Sequence, residues 1–242
     1  MMSLLDALAA VPDTASLKQL AATTDLHPST AHRILAAMCQ ARFVERQDAG
    51  NYRLGIRLLE LGSIVKSRIN LREVALPFMQ ALHEKVGESI NLGIRQDDEI
   101  VYLERTSSGR SLVRVVYLVG GRAPLHLTSL GKLFLAADSQ NKVRDYAKRS
   151  GLPGKTPHSL TQLETLEKAL DKVRRHGIAY DDEEAELGLT CVAAPIHDEE
   201  GSIVAALSVS APTERHDPAW AAEVKRAAKA VSQALGFHPA EK

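Results

Sequence analysis

The stretch SLKQLAATTDLHPSTAHRILAAMCQARFVERQDAGNYR, residues 16–53, predicts a helix, a tight turn, a second helix and a β-hairpin, in that order. We expect the second helix to begin near Pro28, because the fixed φ and missing N–H of proline suit a first helical turn. One apolar stripe recurs along this helix at i, i+3, i+4 and i+7, formed by Ala31, Ile34, Leu35 and Met38. The order of these elements is that of a winged helix-turn-helix.

The opposite face of the second helix carries side chains suited to the major groove of DNA. Arg33 can donate two hydrogen bonds to a guanine edge, and Gln40 can pair with adenine. Ser29, Thr30 and His32 are placed to reach phosphates or bases. We therefore predict that these five side chains contact double-stranded promoter DNA. The alternative is a helical subdomain whose polar face is only solvated.

The predicted wing pairs residues 43–46 with residues 51–54 across a turn of Gln, Asp, Ala and Gly, which favours a short hairpin. Arg46 and Arg53 flank this hairpin and are predicted to contact the DNA backbone or a minor groove. Residues 26–57 hold five arginines against two carboxylates, a local charge of +3, whereas the whole chain balances 30 basic with 30 acidic side chains. The basic residues are thus concentrated where DNA contact is predicted.

The length and composition indicate two domains. The chain has 242 residues, of which 45% are hydrophobic, enough to build two separate cores. Its two cysteines form no CxxC pair and its nine histidines show no metal-ligand spacing, so we expect neither a metal site nor a cofactor. No apolar run approaches the roughly 20 residues that span a bilayer, and the first residues lack the basic region of a secretion signal. We expect a cytoplasmic protein with no membrane partner.

Two further helices are predicted near the first domain. An opening helix covers residues 4–10 and a connecting helix covers residues 55–69, because both segments carry apolar residues at helical spacing. Leu58, Leu61 and Val65 form an apolar stripe on the connecting helix, which is either a dimer seam or an ordinary packing surface. The predicted domains are residues 1–54, the winged helix-turn-helix, residues 55–70, the connecting helix, and residues 71–242, a second domain.

Beyond residue 70, helical and strand-like segments follow each other in mixed order, which is typical of an α+β domain built on an antiparallel sheet. The predicted helices cover residues 71–86, 128–137, 160–176 and 218–235. The predicted strands cover residues 89–95, 100–105, 112–119, 190–196 and 202–210. We expect these helices to flank the sheet.

Three features of the second domain indicate a small-molecule site. The first is the last strand, whose alternation predicts Ile203, Ala205, Leu207 and Val209 on one face and Val204, Ala206, Ser208 and Ser210 on the other. The second is Cys191 on the neighbouring strand, preceded by a loop that carries acidic side chains over residues 181–186. The third is a helix that opens at Thr128 and Ser129, where free N–H groups favour a carboxylate. The alternative is a helix cap with hydroxyls bonded to their neighbours.

Six motifs follow one another along nearly the whole chain: HPSTAHRILAAM (27–38), YRLGIRLLELG (52–62), LREVALPFMQALHEKVGESINL (71–92), GGRAPLHLTSLGKLFLA (120–136), GIAYDDEEAELGLTCVAAPI (177–196) and VAALSVSAP (204–212). With these motifs the chain resembles the IclR family of bacterial transcription regulators. The resemblance implies an N-terminal winged helix-turn-helix and a C-terminal GAF-like domain that binds a small organic acid, such as a keto acid, sugar acid or aromatic acid. It also implies a homo-oligomer, either a dimer or a dimer of dimers.

Carried over by position, the resemblance also implies which residues contact the effector. The backbone amides of Ser129 and Leu130 would bind it. Polar contacts are implied for Asp181, Cys191, Ser208 and Ser210. Apolar walls are implied for Leu112, Val115, Ala123 and Leu189.

Two other functions compete with regulation by an effector. An enzyme built on Cys191 would need a reactive thiolate, yet LTCVAAPI is the pattern of a buried strand and favours packing or ligand contact. His126 is expected to fix a loop by hydrogen bonding rather than to catalyse. The other alternative is a DNA-bound scaffold that responds to no ligand. We predict a sequence-specific DNA-binding transcription regulator, not an enzyme, whose DNA affinity is controlled by a small organic acid.

Overall fold

The computed structural model of the chain describes residues 2–47, 50–66, 70–106 and 119–238. The chain divides into two compact units, Met1–Ile69 and Asn70–Lys242. Within the described ranges, no helix is long and apolar enough to cross a membrane.

The first unit contains four helices and three short strands among its described residues. They are α1 (Met2–Ala9), β1 (Ala15–Ser16), α2 (Leu17–Thr23), α3 (Pro28–Gln40), β2 (Val44–Arg46), β3 (Asn51–Leu54) and α4 (Ile56–Lys66). The strands form one antiparallel sheet in the order β1-β3-β2. The helix, turn, helix and hairpin predicted from the sequence are confirmed, and β1 is an additional strand that the sequence pattern did not reveal.

Local hydrogen bonds explain where the two central helices begin. Ser16 caps α2 in a capping box, since the Ser16 hydroxyl accepts from the Gln19 N–H and the Gln19 side chain accepts from the Ser16 N–H. The helix α3 begins at Pro28, as predicted, and His27 is its N-cap residue. Asp25 lies in the turn between the helices with φ of 52°, a left-handed conformation that aspartate tolerates better than most residues. The turn at Asp25 and the cap at His27 separate α2 from α3.

The core of the first unit forms beneath the predicted apolar stripe of α3. Ala31, Leu35 and Met38 are buried, and Ile34 is partly buried against the same cluster. The cluster takes further side chains from α1, α2 and the hairpin, namely Leu4, Leu8, Leu20, Val44 and Tyr52. Because one face of α3 is committed to this core, its other face is left for solvent or a ligand.

The second unit is an antiparallel sheet flanked by helices, which confirms the predicted α+β class. Its strands are β4 (Ser89–Gln96), β5 (Glu99–Thr106), β6 (Arg122–Pro124), β7 (Ala179–Asp182), β8 (Leu189–His197) and β9 (Ile203–Pro212), arranged in the order β6-β5-β4-β9-β8-β7. Its helices are α5 (Leu71–Val86), α6 (Ser129–Ala137), α7 (Gln140–Ser150), α8 (Leu163–His176) and α9 (Trp220–Ala234).

The two faces of this sheet bury separate cores. On one face, α5 and α9 cover a cluster that includes Leu92, Val192 and Leu207. On the other face, α6, α7 and α8 cover a cluster that includes Ala193 and Ala206. Strand residues therefore alternate between the two clusters. Polar strand residues on the face covered by α6, α7 and α8 are buried there and need hydrogen-bond partners on that face.

Two points of the predicted secondary structure need correction, and a third is not tested by the described residues. Asp181 and Asp182 do not lie in a loop, because residues 179–182 form the edge strand β7. Helix α7 was not predicted, since its sequence is dominated by charged residues. The predicted strand over residues 112–119 lies outside the described residues except for Val119.

The predicted alternation of the last strand fails at its beginning. Ile196 pairs with Ala205 while His197 pairs with Ile203, so a β-bulge leaves Val204 without a register partner. As a result Ile203 packs with the helix α6 cluster and Val204 packs with the opposite cluster, the reverse of the prediction. From Ala205 onward the predicted faces are confirmed.

Candidate functional sites: a DNA-reading surface and a buried polar cluster

The solvent-facing side of α3 carries the side chains predicted to read DNA. Ser29, His32, Arg33 and Gln40 are exposed, and Thr30 is half-buried. Among the described residues, Arg33 has no ion-pair partner. Its guanidinium is therefore available for a base edge or a phosphate.

His27 is a part of this surface that the sequence analysis missed. Its ring nitrogen Nδ1 accepts from the Ser29 N–H and lies 2.8 Å from the Ser29 hydroxyl oxygen. The hydroxyl of Ser29 is thus oriented by the cap before any contact with DNA. The position of His27 directly before Pro28 could have identified it, since the residue before a helix-opening proline is the N-cap.

Three of the five arginines in this region are held by carboxylates. Arg53 pairs with Glu45 across the hairpin at 2.7 Å, and Arg42 and Arg57 both pair with Glu60 at 3.0 and 2.7 Å. Glu60 lies beyond residues 26–57, over which the local charge of +3 was counted, and it pairs with two of those arginines. All of these pairs are well exposed, and exposed pairs contribute at most about 1 kcal/mol. A phosphate can therefore compete for these arginines.

The second candidate site lies on the α6-facing side of the larger sheet. The strand register places Asp181 of β7 opposite Cys191 of β8, and Cys191 opposite Ser210 of β9. Ser208 lies two residues before Ser210 on β9 and therefore on the same face. The four side chains to which the family resemblance assigned polar contacts are thus neighbours on one surface.

Asn91 and Arg105 complete this polar cluster, although the sequence analysis did not single them out. The Asn91 amide donates to Ser210 Oγ at 2.9 Å and to Ser208 Oγ at 3.3 Å, and Ser210 donates to Cys191 Sγ at 3.1 Å. Arg105 lies opposite Asn91 on β5. The alternation of Asn91 with Ile90 and Leu92 indicates that it lies on the other face of the strand. Only the strand register shows that it pairs with Ser208.

Helix α6 begins beside the face of the sheet that carries this polar cluster. Thr128 caps the helix, and its hydroxyl accepts from the Gly131 N–H at 3.0 Å. The N–H groups of Ser129 and Leu130 find no acceptor among the described residues. A Cβ placed on Gly93 of β4 would lie 3.0 Å from Leu130 Cδ1, so glycine allows this turn to approach the sheet closely. The helix start therefore offers two buried donors and a favourable dipole to an anion.

The electrostatics of the cluster centre on Asp181. Its side chain is 2% exposed, and its Oδ1 accepts from the N–H groups of Glu184 and Ala185 at 2.8 and 3.3 Å. Burial raises the pKa of Asp181 to about 7, although the nearby Lys132 ammonium acts in the opposite direction. Lys132 itself forms a buried ion pair with Glu184 at 2.5 Å. At neutral pH, Asp181 is therefore poised between its protonated and ionised forms.

The environment of Cys191 opposes a nucleophilic role. Burial raises the pKa of the Cys191 thiol far above its ordinary value, and the negative charge of Asp181 raises it further. A thiol held in its protonated form is a poor nucleophile. His126 is bonded to the Tyr146 hydroxyl at 2.7 Å through Nδ1 and lies 3.1 Å from the Pro153 carbonyl through Nε2, so it fixes a loop as expected.

Three of the remaining predicted site residues are buried. Ala123 and Leu130 are buried in the α6 cluster, and Leu189 is buried at the start of β8. Leu112 and Val115 lie outside the described residues. Within the described part of the chain, no group of three or more histidine, cysteine, aspartate or glutamate side chains is arranged to hold a metal ion.

Known families match both units of the chain. The family model described as "IclR helix-turn-helix domain" matches residues 1–48, and the one described as "Bacterial transcriptional regulator IclR C-terminal" matches residues 64–236. The chain is 33% identical to the transcriptional repressor IclR of Escherichia coli, over 97% of this chain and 88% of that protein.

Solved structures give the same result. The repressor BlcR of Agobacterium tumefaciens is similar with a TM-score of 0.86 and 25% identity, over 98% of this chain and 96% of that one. An IclR homologue from Microbacterium hydrocarbonoxydans, complexed with 4-hydroxybenzoate, is similar with a TM-score of 0.64 and 29% identity, over 97% and 96% of the two chains.

Proposed function

Because the chain belongs to the IclR family of bacterial transcription regulators, we propose that it binds promoter DNA sequence-specifically and that a small organic acid controls this binding. The N-terminal helix-turn-helix supplies the DNA-binding function, and the C-terminal domain is the effector domain. The predicted domain limits, residues 1–54, 55–70 and 71–242, are retained as part of this proposal.

The DNA contacts proposed for the first unit come from α3 and the wing. Arg33 and Gln40 read base edges, while Ser29, Thr30 and His32 hold the helix in the groove. Arg46 and Arg53 of the wing lie along the backbone, where Arg53 exchanges its bond to Glu45 for a phosphate. The exposure of this face and the free guanidinium of Arg33 support this assignment.

The acid is proposed to bind between the first turn of α6 and the polar cluster of the sheet. The single observation that carries this is a pair of buried N–H groups without an acceptor among the described residues, at Ser129 and Leu130, on a helix that packs on the face of the sheet holding Asn91 and Asp181. A carboxylate accepts from the two N–H groups, and the hydroxyls of Ser208 and Ser210 with the Cys191 thiol contact the rest of the molecule. Leu112, Val115, Ala123 and Leu189 are proposed as its apolar walls. The 4-hydroxybenzoate named in the homologous complex supports this class of ligand.

The regulator is proposed to act as a homo-oligomer, either a dimer or a dimer of dimers. Leu54, Ile56 and Leu59 are large apolar side chains that are 39%, 50% and 66% exposed within the first unit. A row of such residues on and beside α4 is a surface that a second copy of the chain would cover. Binding to a two-fold DNA site follows from such an assembly.

A DNA-binding titration with added acids tests the proposal. A fluorescent duplex from the region upstream of the gene is titrated with the full chain, alone and with glyoxylate, pyruvate, gluconate or 4-hydroxybenzoate. We expect sequence-specific binding at physiological salt and a shift of the dissociation constant by at least one acid, since an effector must bind the two DNA-affinity states unequally. Binding that no acid changes would support a ligand-independent scaffold instead.

A further inference from the structure

The carbonyl oxygen of Asn91 is a buried hydrogen-bond acceptor without a donor. The side chain is 2% exposed, and Oδ1 has no hydrogen-bond partner among the described residues. The amide nitrogen of the same side chain is satisfied by Ser208 and Ser210. A buried acceptor left unpaired destabilises a protein, so a site that retains one is suited to a ligand that supplies the donor.

The bonds around Ser210 agree with the orientation of this amide. The Asn91 amide nitrogen Nδ2 donates to Ser210 Oγ at 2.9 Å, and the Ser210 hydroxyl donates to Cys191 Sγ at 3.1 Å. The carbonyl oxygen is thereby left as the unpaired atom.

Asn91 also lies on the face of the sheet that α6 covers. Gly93, two residues further along β4 on the same face, is where the Leu130 side chain approaches the sheet. The unpaired carbonyl oxygen therefore lies on the same face as the two serines that are proposed to contact the effector.

We propose that Asn91 accepts a hydrogen bond from a hydroxyl group of the effector, so that the site selects hydroxy acids over acids of the same skeleton that lack the hydroxyl. The inference rests on the proposed function, which supplies the carboxylate end of the ligand. Without the hydroxyl, the Asn91 carbonyl stays unpaired in the complex, and sites of this kind discriminate strongly against the deoxy analogue.

Matched pairs of acids test the inference on the full chain. Isothermal titration is carried out with L-lactate against propionate and with 4-hydroxybenzoate against benzoate. We expect the hydroxy member of at least one pair to bind about tenfold or more tightly than its partner. The same titrations on Asn91→Leu should reduce that preference to less than about threefold, because the variant has no acceptor to satisfy.

Thr190→Val is the matched control. Thr190 is also buried on the sheet, but its parity on β8 places it on the opposite face, where its hydroxyl bonds to Thr213. This variant should keep the full preference for the hydroxy acid. If Asn91→Leu does not fold, equal binding of both members of each acid pair to the unaltered chain still overturns the inference.

These titrations distinguish the role of Asn91 from the binding of acids in general. Equal binding of both members of each pair, or a preference that survives in Asn91→Leu, would overturn the role of Asn91 while leaving the proposed function intact. Failure of every acid to bind would overturn the proposed function and this inference together.

Discussion

Lys132 and Glu184 form a buried ion pair whose Nζ and Oε1 atoms are 2.5 Å apart, with side chains that are only 3% and 10% exposed. The pair joins α6 to the segment after β7, next to Asp181. The other oxygen of Glu184 has no hydrogen-bond partner among the described residues. Because an ammonium and a carboxylate are costly to bury separately, each of these groups offsets the cost of burying the other.

We therefore expect Lys132→Met to lower the free energy of unfolding by about 3 kcal/mol or more, since it leaves the Glu184 carboxylate buried and unpaired. Lys168→Met is the matched control, because Lys168 and Glu164 form a pair of the same chemistry at 2.7 Å with both side chains more than 70% exposed. That variant should lose less than about 1 kcal/mol. Urea unfolding measures both. Equal losses would contradict the role assigned to burial, as would a double variant with Glu184→Gln that recovers none of the loss.

Asp181 gives the folded chain a dependence on pH. Its pKa is raised to about 7 in the folded state by burial, whereas an unfolded chain titrates near 4. Between these values the unfolded chain releases a proton that the folded chain keeps, so the stability of the folded state falls as the pH rises through this window. Below about pH 4 both states are protonated, and above about pH 7 both are ionised.

Asp181→Asn removes this dependence and keeps an oxygen to accept from the Glu184 N–H. The stability of the variant relative to the parent should therefore increase between about pH 4 and 7, on the order of 1 kcal/mol per pH unit, and level off above. Asp182→Asn, at the exposed neighbour on β7, controls for the change from acid to amide. Unfolding by urea at pH 5, 6, 7 and 8 measures the difference, and a constant gap across that series would show that Asp181 does not titrate as described.

Asp181 lies in a different element from the one that its sequence indicates. The run of acidic residues around it indicated a loop, because such runs are usually solvated. Yet Asp181 lies inward on an edge strand, opposite Cys191. A four-residue strand has too little alternation to be recognised alone, and its face is fixed only by the partner strand.

The first unit was more predictable than the second for a physical reason. The apolar stripe of α3, its proline start and the turn of the wing are all local signals, and the fold follows them. The pairing of Arg42 and Arg57 with Glu60 and the contact of Asn91 with Ser208 are not local. The bulge that reverses Ile203 and Val204 is likewise a property of two strands together.

Ser208 and Ser210 are expected to carry the response to the acid. The double change Ser208→Ala and Ser210→Ala removes two hydroxyls from the polar cluster and leaves the Asn91 amide without acceptors. We expect the affinity for the effector to fall about tenfold or more, while DNA binding without acid stays within about threefold of the parent. Titration of a labelled duplex with and without acid measures both effects. A full response in the double variant would remove these serines from the site, and Thr190→Val serves again as the control for loss of a buried hydroxyl.

Arg33 is expected to determine which DNA sequence the regulator prefers. Its guanidinium is exposed on α3 with no ion-pair partner in the described residues, whereas Arg53 is held by Glu45. Arg33→Ala should lose roughly 1–3 kcal/mol of binding free energy and relax the preference at one base position, because a bidentate contact to a base edge is removed. Arg53→Ala should weaken binding to all sequences alike and reduce the salt dependence. Competition binding against duplexes with single base changes distinguishes the two patterns. If Arg33→Ala instead lost affinity uniformly across these duplexes, its contact would be to phosphate, and the reading of bases would have to come from Gln40 and its neighbours on the same face.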